Sequence, residues 1–331
     1  MNWYRNLAEQ GDICLSTRVR LARNITQYPF PARLSAEQKR EVGEAVREIL
    51  KDEALQFIDM TSLSPAQTVS LAEKHLISPE FACDTQGRSL MLSEDEDISI
   101  MICEEDHLRI QTILPGLSLD EAFTQAQKLD EKLGSRLSYA FHSQLGYLTQ
   151  CPTNIGTGLR ASVMLHLPAL KEKGALHRLS TTVAKLGLTL RGSYGEGSEV
   201  SGDVYQLSNQ VTLGISEEAA IKNLNSIAMQ IITQEKQARA ALVKDDDYLD
   251  RIYRAYGILK SAHKLTTNEL IKLISFVRVG VSEGILSIPA EKLKELTVTL
   301  QPATLNAAMN KALSQSERDV LRAQRVKEEL L

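Results

Sequence analysis

Apolar and polar positions alternate over residues 12–21. Ile13, Leu15, Thr17, Val19 and Leu21 fall on one face, and Asp12, Cys14, Ser16, Arg18 and Arg20 on the other, the two-residue period of a strand with one buried side. The same period returns at 160–167, with Arg160, Ser162, Met164 and His166 opposite Ala161, Val163, Leu165 and Leu167. Residues 98–103 and 107–114 read as two further strands joined by an acidic turn, and strands are also expected near 188–191 and 203–213. Helical segments carry start signals. Ser35 with Gln38 predicts a capping box and a helix to about Lys51, Ser64-Pro65 starts another, and Ser118 with Glu121 predicts a cap for a helix ending near Leu133. A helix is expected at about 174–186, and Ser216 caps a long one to about Leu242. Beyond the charged run 244–250 the pattern is almost purely helical, with Thr266–Glu269 as a cap, Pro289 and Pro302 as punctuation and a last helix over roughly 315–330. The expected fold is α+β, an antiparallel sheet flanked by helices over 1–243, followed by a small all-helical domain over 244–331.

Composition changes this picture in one place. The 331 residues are 43% hydrophobic, enough for a buried core, and carry a net charge of −4, which argues against non-specific nucleic-acid binding. That average conceals a segregation, because residues 1–38 hold five arginines (Arg5, Arg18, Arg20, Arg23, Arg33) and no lysine. Cys14, Cys83, Cys103 and Cys151 form no CxxC pair, so neither a structural zinc site nor a disulfide framework is expected. No apolar run serves as a signal peptide, and none approaches the roughly 20 residues that span a bilayer. The expectation is a soluble cytoplasmic protein with no membrane or nucleic-acid partner.

The candidate chemistry lies on the polar faces of those strands. Arg18 and Arg20, Arg109 (with His107 and Gln111) and Arg160 all stand opposite apolar residues, and Arg191 ends a fourth strand. Guanidinium groups gathered on one sheet repel one another unless an anion sits among them, and their forks match phosphate oxygens. A polyphosphate is the expected anion if the strands co-assemble; isolated exposed arginines are the alternative. Glu104-Glu105-Asp106 is either a solvated turn or a source of an acid/base carboxylate beside the phosphate site. Gly192-Ser193-Tyr194-Gly195-Glu196-Gly197-Ser198 and Gly156-Thr157-Gly158 are phosphate-approaching loops or plain turns, and neither matches a P-loop. Cys151 is a small buried group or a thiol near the arginines. Arg318, Asp319 and Arg322 on the last helix form a solvated face or a site for a phosphorylated group.

Five segments together resemble the phosphagen (guanidino) kinase catalytic domain: STRVRLARN (16–24), EEDHLRIQ (104–111), CPTNIGTGLRAS (151–162), RGSYGEGSE (191–199) and YQLSNQVTLG (205–214). The forms RLARN, GTGLRASVMLHLPAL and RGSYGEGSE are similar to the bacterial protein arginine kinase branch, and ERDVLRAQR (317–325) resembles that branch's phosphoarginine pocket. The chain starts almost directly at the arginine strand, without the helical domain that precedes it in arginine and creatine kinases. The resemblance implies ATP with Mg²⁺ as cofactor, its phosphates clamped by Arg18, Arg20, Arg109, Arg160 and Arg191. Ser16, Thr17 and Val19 would flank the clamp, Ala161, Ser162, Val163 and Met164 would run along the nucleotide strand, and Gly192, Ser193, Tyr194 and Gly195 would follow. His75 would lie against the adenine. Glu105, with Glu196 as partner and Cys151 beside them, would act on the target guanidinium, and Arg318, Asp319, Arg322 and Ala323 would hold phosphoarginine. No protein ligand for the metal stands out. The implied activity is transfer of the γ-phosphoryl group of ATP to arginine side chains of proteins, marking them for Clp-type proteolysis. The resemblance further implies a homodimer and raises the question of an activator protein. A phosphagen kinase for a free guanidino compound and a phosphoarginine-binding adaptor are the alternatives. One departure is Cys103, where the family more often has Asn, and it bears on the hydrogen bonding of the acidic turn.

Overall fold

A computed structural model describes residues 2–192 and 201–330. Eight antiparallel strands form one sheet: β1 (Cys14–Arg23), β2 (Leu55–Asp59), β3 (Ser89–Ser93), β4 (Ile98–Ile102), β5 (Leu108–Pro115), β8 (Leu159–His166), β9 (Leu188–Gly192) and β10 (Val204–Asn209), in the order β2-β3-β4-β5-β1-β8-β10-β9. A short ribbon, β6 (Phe141–His142) with β7 (Gly146–Tyr147), stands apart. The helices before residue 243 are α1 (Ala36–Ile49), α2 (Pro65–Glu73), α3 (Pro79–Cys83), α4 (Leu119–Gly134), α5 (Pro168–Glu172), α6 (Leu176–Lys185) and α7 (Glu217–Leu242). Five more follow: α8 (Asp246–Ser261), α9 (Thr267–Ser282), α10 (Ala290–Thr299), α11 (Pro302–Met309) and α12 (Gln315–Leu330).

The alternating strands do what their period demands. Val19 and Leu21 of β1, Ile110 of β5 and Ala161, Val163 and Leu165 of β8 turn to one side and meet α1, α4 and α7 in a single core with Val46, Ala126, Leu224 and Ile231. The expected capping box forms at Ser35–Gln38, the start expected at Ser64 carries a second box with Gln67, and Ser216 and Thr266 cap α7 and α9. A second core, from Tyr248 and Ile252 to Ala323 and Val326, holds α8 to α12 together. A small cluster of Trp3, Tyr4, Leu76, Ile113 and Val298 bridges the two. There the Lys294 amine of α10 donates to the carbonyls of Trp3 and Asn6 at 2.9 and 3.2 Å and lies over the Trp3 ring. Burial, followed by the charge of Arg278, pushes its pKa down to about 7.

Four local expectations are corrected. A bulge between Cys14 and Ser16 resets the register of β1 against β8, so Cys14 joins the core while Leu15 moves to the opposite side beside Ser16. Ser118 precedes α4 but does not cap it with its side chain, which donates to Pro115 O at 2.9 Å; Thr17 Oγ1 instead accepts from Ser118 N at 3.0 Å and donates to Gly116 O at 2.8 Å. The helix expected over 174–186 forms as α6, with the short α5 ahead of it, but the strand expected over 203–213 ends at Asn209. The charged run 244–250 is mostly the first turns of α8, whose amides are capped by Asp245.

Candidate functional site

The polar face of the sheet brings the predicted arginines together. Arg20 of β1 lies directly opposite Arg160 of β8 on one side and Gln111 of β5 on the other, while Arg18 faces Ser162 and Ala22 faces Arg109. Arg191 of β9 pairs with Gln206, which pairs with Met164, so it belongs to the same face and is exposed at its edge. Thr17, Val19, Ala161 and Val163 share these strands but point their side chains to the opposite side.

Two cavities open on this face. One of about 550 Å³ runs between the sheet and α2–α3, lined by Arg18, Arg20, Arg109, His75, Met101 and Gln301 among others. The other, about 130 Å³, is lined by Arg20, Arg109, Arg160, Glu105, Cys151 and Asn154 with their neighbours. Arg20 and Arg109 belong to both, so the cavities meet at guanidinium groups. Ser16 and Met164 line a narrower lobe that shares His75 and Glu73 with the larger cavity.

The cluster is electrostatically unfinished. Burial and then the charges of Arg109 and Arg160 push the Arg18 pKa down to about 10. Burial and then Arg18, Arg109 and Arg160 push that of Arg20 down further. Arg160 is lowered by burial and by Arg191. Guanidinium does not give up its proton in proteins, so these shifts express a cost of burial and, after it, of mutual repulsion, which a bound anion relieves. Arg20 Nε is buried with no hydrogen-bond partner among the described residues. Arg18 has a weak bond to Gln206 at 3.3 Å.

Arg109 is the exception. It pairs with Glu104 at 2.6 Å and Glu105 at 3.0 Å, and Glu104 also accepts from the Ser78 hydroxyl. Burial raises the Glu105 pKa; Arg109 opposes this, while Asp106 and Glu104 add to it. The turn therefore holds a carboxylate of increased basicity at the wall of the smaller cavity. Asp106 is buried and accepts from Asn24 Nδ2 at 2.6 Å and Gln150 N at 2.8 Å, which ties the acidic turn to the segment leading to Cys151. Cys103 opens the turn with φ +61°, a left-handed conformation that Asn tolerates well and other side chains rarely adopt. Its amide still closes the turn on His107 O at 2.9 Å, and its thiol is buried in the core. Cys151 is half-buried, with Sγ 3.1 Å from Thr153 Oγ1. Gly156 and Gly158 hold this segment against its neighbours: a Cβ would lie 2.1 Å from Thr212 O at Gly156 and 2.6 Å from Ala22 O at Gly158. Close packing of turns, rather than an open cradle, explains these two glycines. Ser193, Tyr194, Gly195 and Glu196 lie outside the described residues; Gly192 ends β9, paired with Tyr205.

His75 sits at φ +62° with its carbonyl held by Gln111 Nε2 at 2.9 Å. Burial, then Arg18, lowers its pKa to about 4, so the ring is neutral at pH 7. His107 and His166, which share the polar face in the sequence pattern, serve elsewhere. His107 Nδ1 accepts from Ile25 N at 3.0 Å, and His166 lies between Arg239 and Ser275 at 2.9 and 2.8 Å.

Sequence reasoning missed the part played by residues beyond 243. Gln301 reaches the larger cavity from the α10–α11 turn. Glu73 caps α11, accepting from Ala303 N (2.9 Å), Thr304 N (2.7 Å) and Thr304 Oγ1 (2.8 Å). No spacing signal links residues 230 positions apart. The last helix also differs from expectation in detail. Arg322 is 1% exposed and donates to Leu300 O, Leu265 O and Asp319 at 3.0, 2.7 and 2.6 Å, and Ala323 is buried. Arg318 and Asp319 are half-buried and more accessible.

Residues 37–238 match the family described as ATP:guanido phosphotransferase, C-terminal catalytic domain. The chain belongs to that family. Within the family it stands with the protein-arginine kinases. Residues 245–331 match the protein-arginine kinase McsB C-terminal domain. The protein-arginine kinase of Desulforamulus reducens is 45% identical, covering 99% of this chain and 95% of that one. That of Clostridium tetani is 42% identical over 99% and 98%. A solved structure of lombricine kinase superposes with a TM-score of 0.62 at 25% identity over 73% of this chain and 72% of its own.

Proposed function

We propose that the two cavities form one site in which this protein arginine kinase transfers the γ-phosphoryl group of ATP to arginine side chains of proteins. ATP occupies the larger cavity, its base toward His75 and the Ser16–Met164 lobe, its phosphates across Arg18, Arg20, Arg109, Arg160 and Arg191. The target guanidinium enters the smaller cavity beside Glu105 and Cys151, with Glu196 as the second carboxylate. The observation that carries this reading is that Arg20 and Arg109 wall both cavities, so the γ-phosphate and the acceptor meet there. Glu105 takes a proton from the guanidinium as its terminal nitrogen bonds to phosphorus and the bond to the ADP oxygen breaks. The raised basicity of Glu105 suits that step. The arginines neutralise charge on the transferred group, so positioning and electrostatics supply most of the rate. Glu104 and Glu105 are both paired to Arg109, which fits a Mg²⁺ ion held by phosphate oxygens and water rather than by protein carboxylates. When bound, that ion adds neutralising charge.

The finer reading includes a domain limit at residues 243–244, a cytoplasmic homodimer, an activator protein, hand-over of marked proteins to a Clp-type protease, and a phosphoarginine site at Arg318, Asp319, Arg322 and Ala323. Among the described residues no helix is long and apolar enough to cross a membrane. In the phosphoarginine site, Arg318 and Asp319 make the contact and buried Arg322 supports them. The decisive experiment is Glu105→Gln with ATP and an unfolded protein, read by mass spectrometry of acid-labile phosphoarginine. A loss of about 10²–10⁴-fold is expected. An unchanged rate removes Glu105 from the mechanism.

A further inference from the structure

Large apolar side chains stand in solvent on two segments bonded to the turn that walls the smaller cavity. One, the β6–β7 ribbon, exposes Phe141 (60%) and Leu145 (42%); the other, the segment after β10, exposes Val211 (46%) and Leu213 (50%). Both segments are bonded to the same turn. Tyr147 N donates to Gly156 O at 2.8 Å, and Thr212 Oγ1 donates to Thr153 O and Ile155 O at 3.0 and 2.8 Å. Thr153 and Asn154 of that turn line the acceptor cavity. The two exposed pairs therefore flank the turn that walls this cavity and give it an apolar rim. Phe141 is further fixed edge-on against Tyr147, with ring centroids 5.2 Å apart.

The rim is also uncharged. The chain is 24% charged, yet no Asp, Glu, Lys or Arg occurs over 137–159 or over 204–216. Clustered, exposed apolar side chains without charges mark an interaction surface, whereas isolated ones need no explanation. An arginine that enters the cavity carries its polypeptide across this rim, so the occupant is continuous with the acceptor site.

We propose that the rim docks an unfolded polypeptide whose residues flanking the target arginine are apolar, so that the kinase selects arginines in segments that folding would bury. The proposal rests on the acceptor reading of the smaller cavity. It is tested with the full-length protein and two synthetic peptides, each with one arginine, flanked by Val and Leu in one and by Ser and Gly in the other. Wild type is expected to show kcat/KM about tenfold higher on the apolar peptide, the effect of burying one or two large side chains in part. Phe141→Ser with Leu213→Ser, and separately Leu145→Ser with Val211→Ser, should bring the two peptides level while the polar peptide and the KM for ATP stay as in wild type. Equal turnover of both peptides by wild type, or a preference that survives both double variants, overturns the proposal. Sedimentation is run alongside; a change of oligomeric state in the variants assigns the rim to a second copy of the chain and overturns it too. Glu105→Gln separates the two readings: if it leaves both peptides at wild-type rates the acceptor assignment has failed, whereas loss of both rates with no wild-type preference fails the rim alone.

Discussion

Arg20 and Arg23 lie three residues apart on one strand and live in opposite electrostatic worlds. Arg23 is 1% exposed and fully engaged. It bonds Asp130 at 2.7 Å, Glu217 at 3.1 Å and Thr157 O at 2.8 Å, and stacks 3.6 Å over the Tyr147 ring. Arg20 faces Arg160 and has Arg18 and Arg109 as charged neighbours, with a buried Nε that no described residue accepts. Arg322 in the helical region repeats the Arg23 pattern with two carbonyls and Asp319. The lesson is that arginine count does not locate an anion site. Repulsion left uncompensated does, because a folded chain tolerates it only where a ligand will relieve it.

The contrast is broken most severely at the unfinished group. Arg20→Ala should cut phosphoryl transfer by about 10³-fold, the scale of removing a charge-neutralising arginine from such a transition state, with little change in melting temperature. Activity within tenfold of wild type would mean the cluster does not hold the transferred phosphate. At the engaged group the effect should invert. Arg23→Ala strands Asp130 and Glu217 and should destabilise the fold by about 3–5 kcal/mol in urea unfolding, and buried Arg322→Ala should act likewise on the helical region. The surviving folded protein should bind ATP normally; weakened ATP binding without loss of stability would erase the distinction. The smallest effect concerns the acidic turn. Glu105 must be ionised to act as base, so kcat/KM falls as pH drops through its raised pKa. Glu104→Gln removes a neighbouring negative charge and frees Arg109 for Glu105, both of which favour the carboxylate, so the acid limb of the pH profile should move to lower pH. A limb that stays or moves upward contradicts the assignment.

Much of the fold was legible because it is written in local periods and caps. The alternation over 160–167 and the Ser35, Ser64, Ser216 and Thr266 caps appear where the pattern puts them. The edge strand β2 and its partner β3, the bulge at Cys14 and the use of Thr17 in place of a Ser118 cap were not legible. Most of these depend on a neighbour distant in the chain: β2 on β3, the bulge on β8, and Thr17 on the Pro115–Ser118 turn. The arginine and carboxylate members of the site were legible as residue types on strand faces. Their division into two joined cavities was not, nor was the reach of Gln301 and the cap by Glu73 across 230 positions.

By itself the sequence determined sidedness. In the regular part of the strand, beyond the bulge at Cys14, a period of two puts Arg18 and Arg20 on one face and Arg23 on the other. Only the tertiary structure decided what each arginine meets. The strand order β5-β1-β8 sets Arg109 and Arg160 beside Arg20, and the docking of α4 and α7 on the opposite side delivers Asp130 and Glu217 to Arg23. Charge compensation acts over a few ångströms in space, and those ångströms are spanned here by contacts more than a hundred residues apart in the chain.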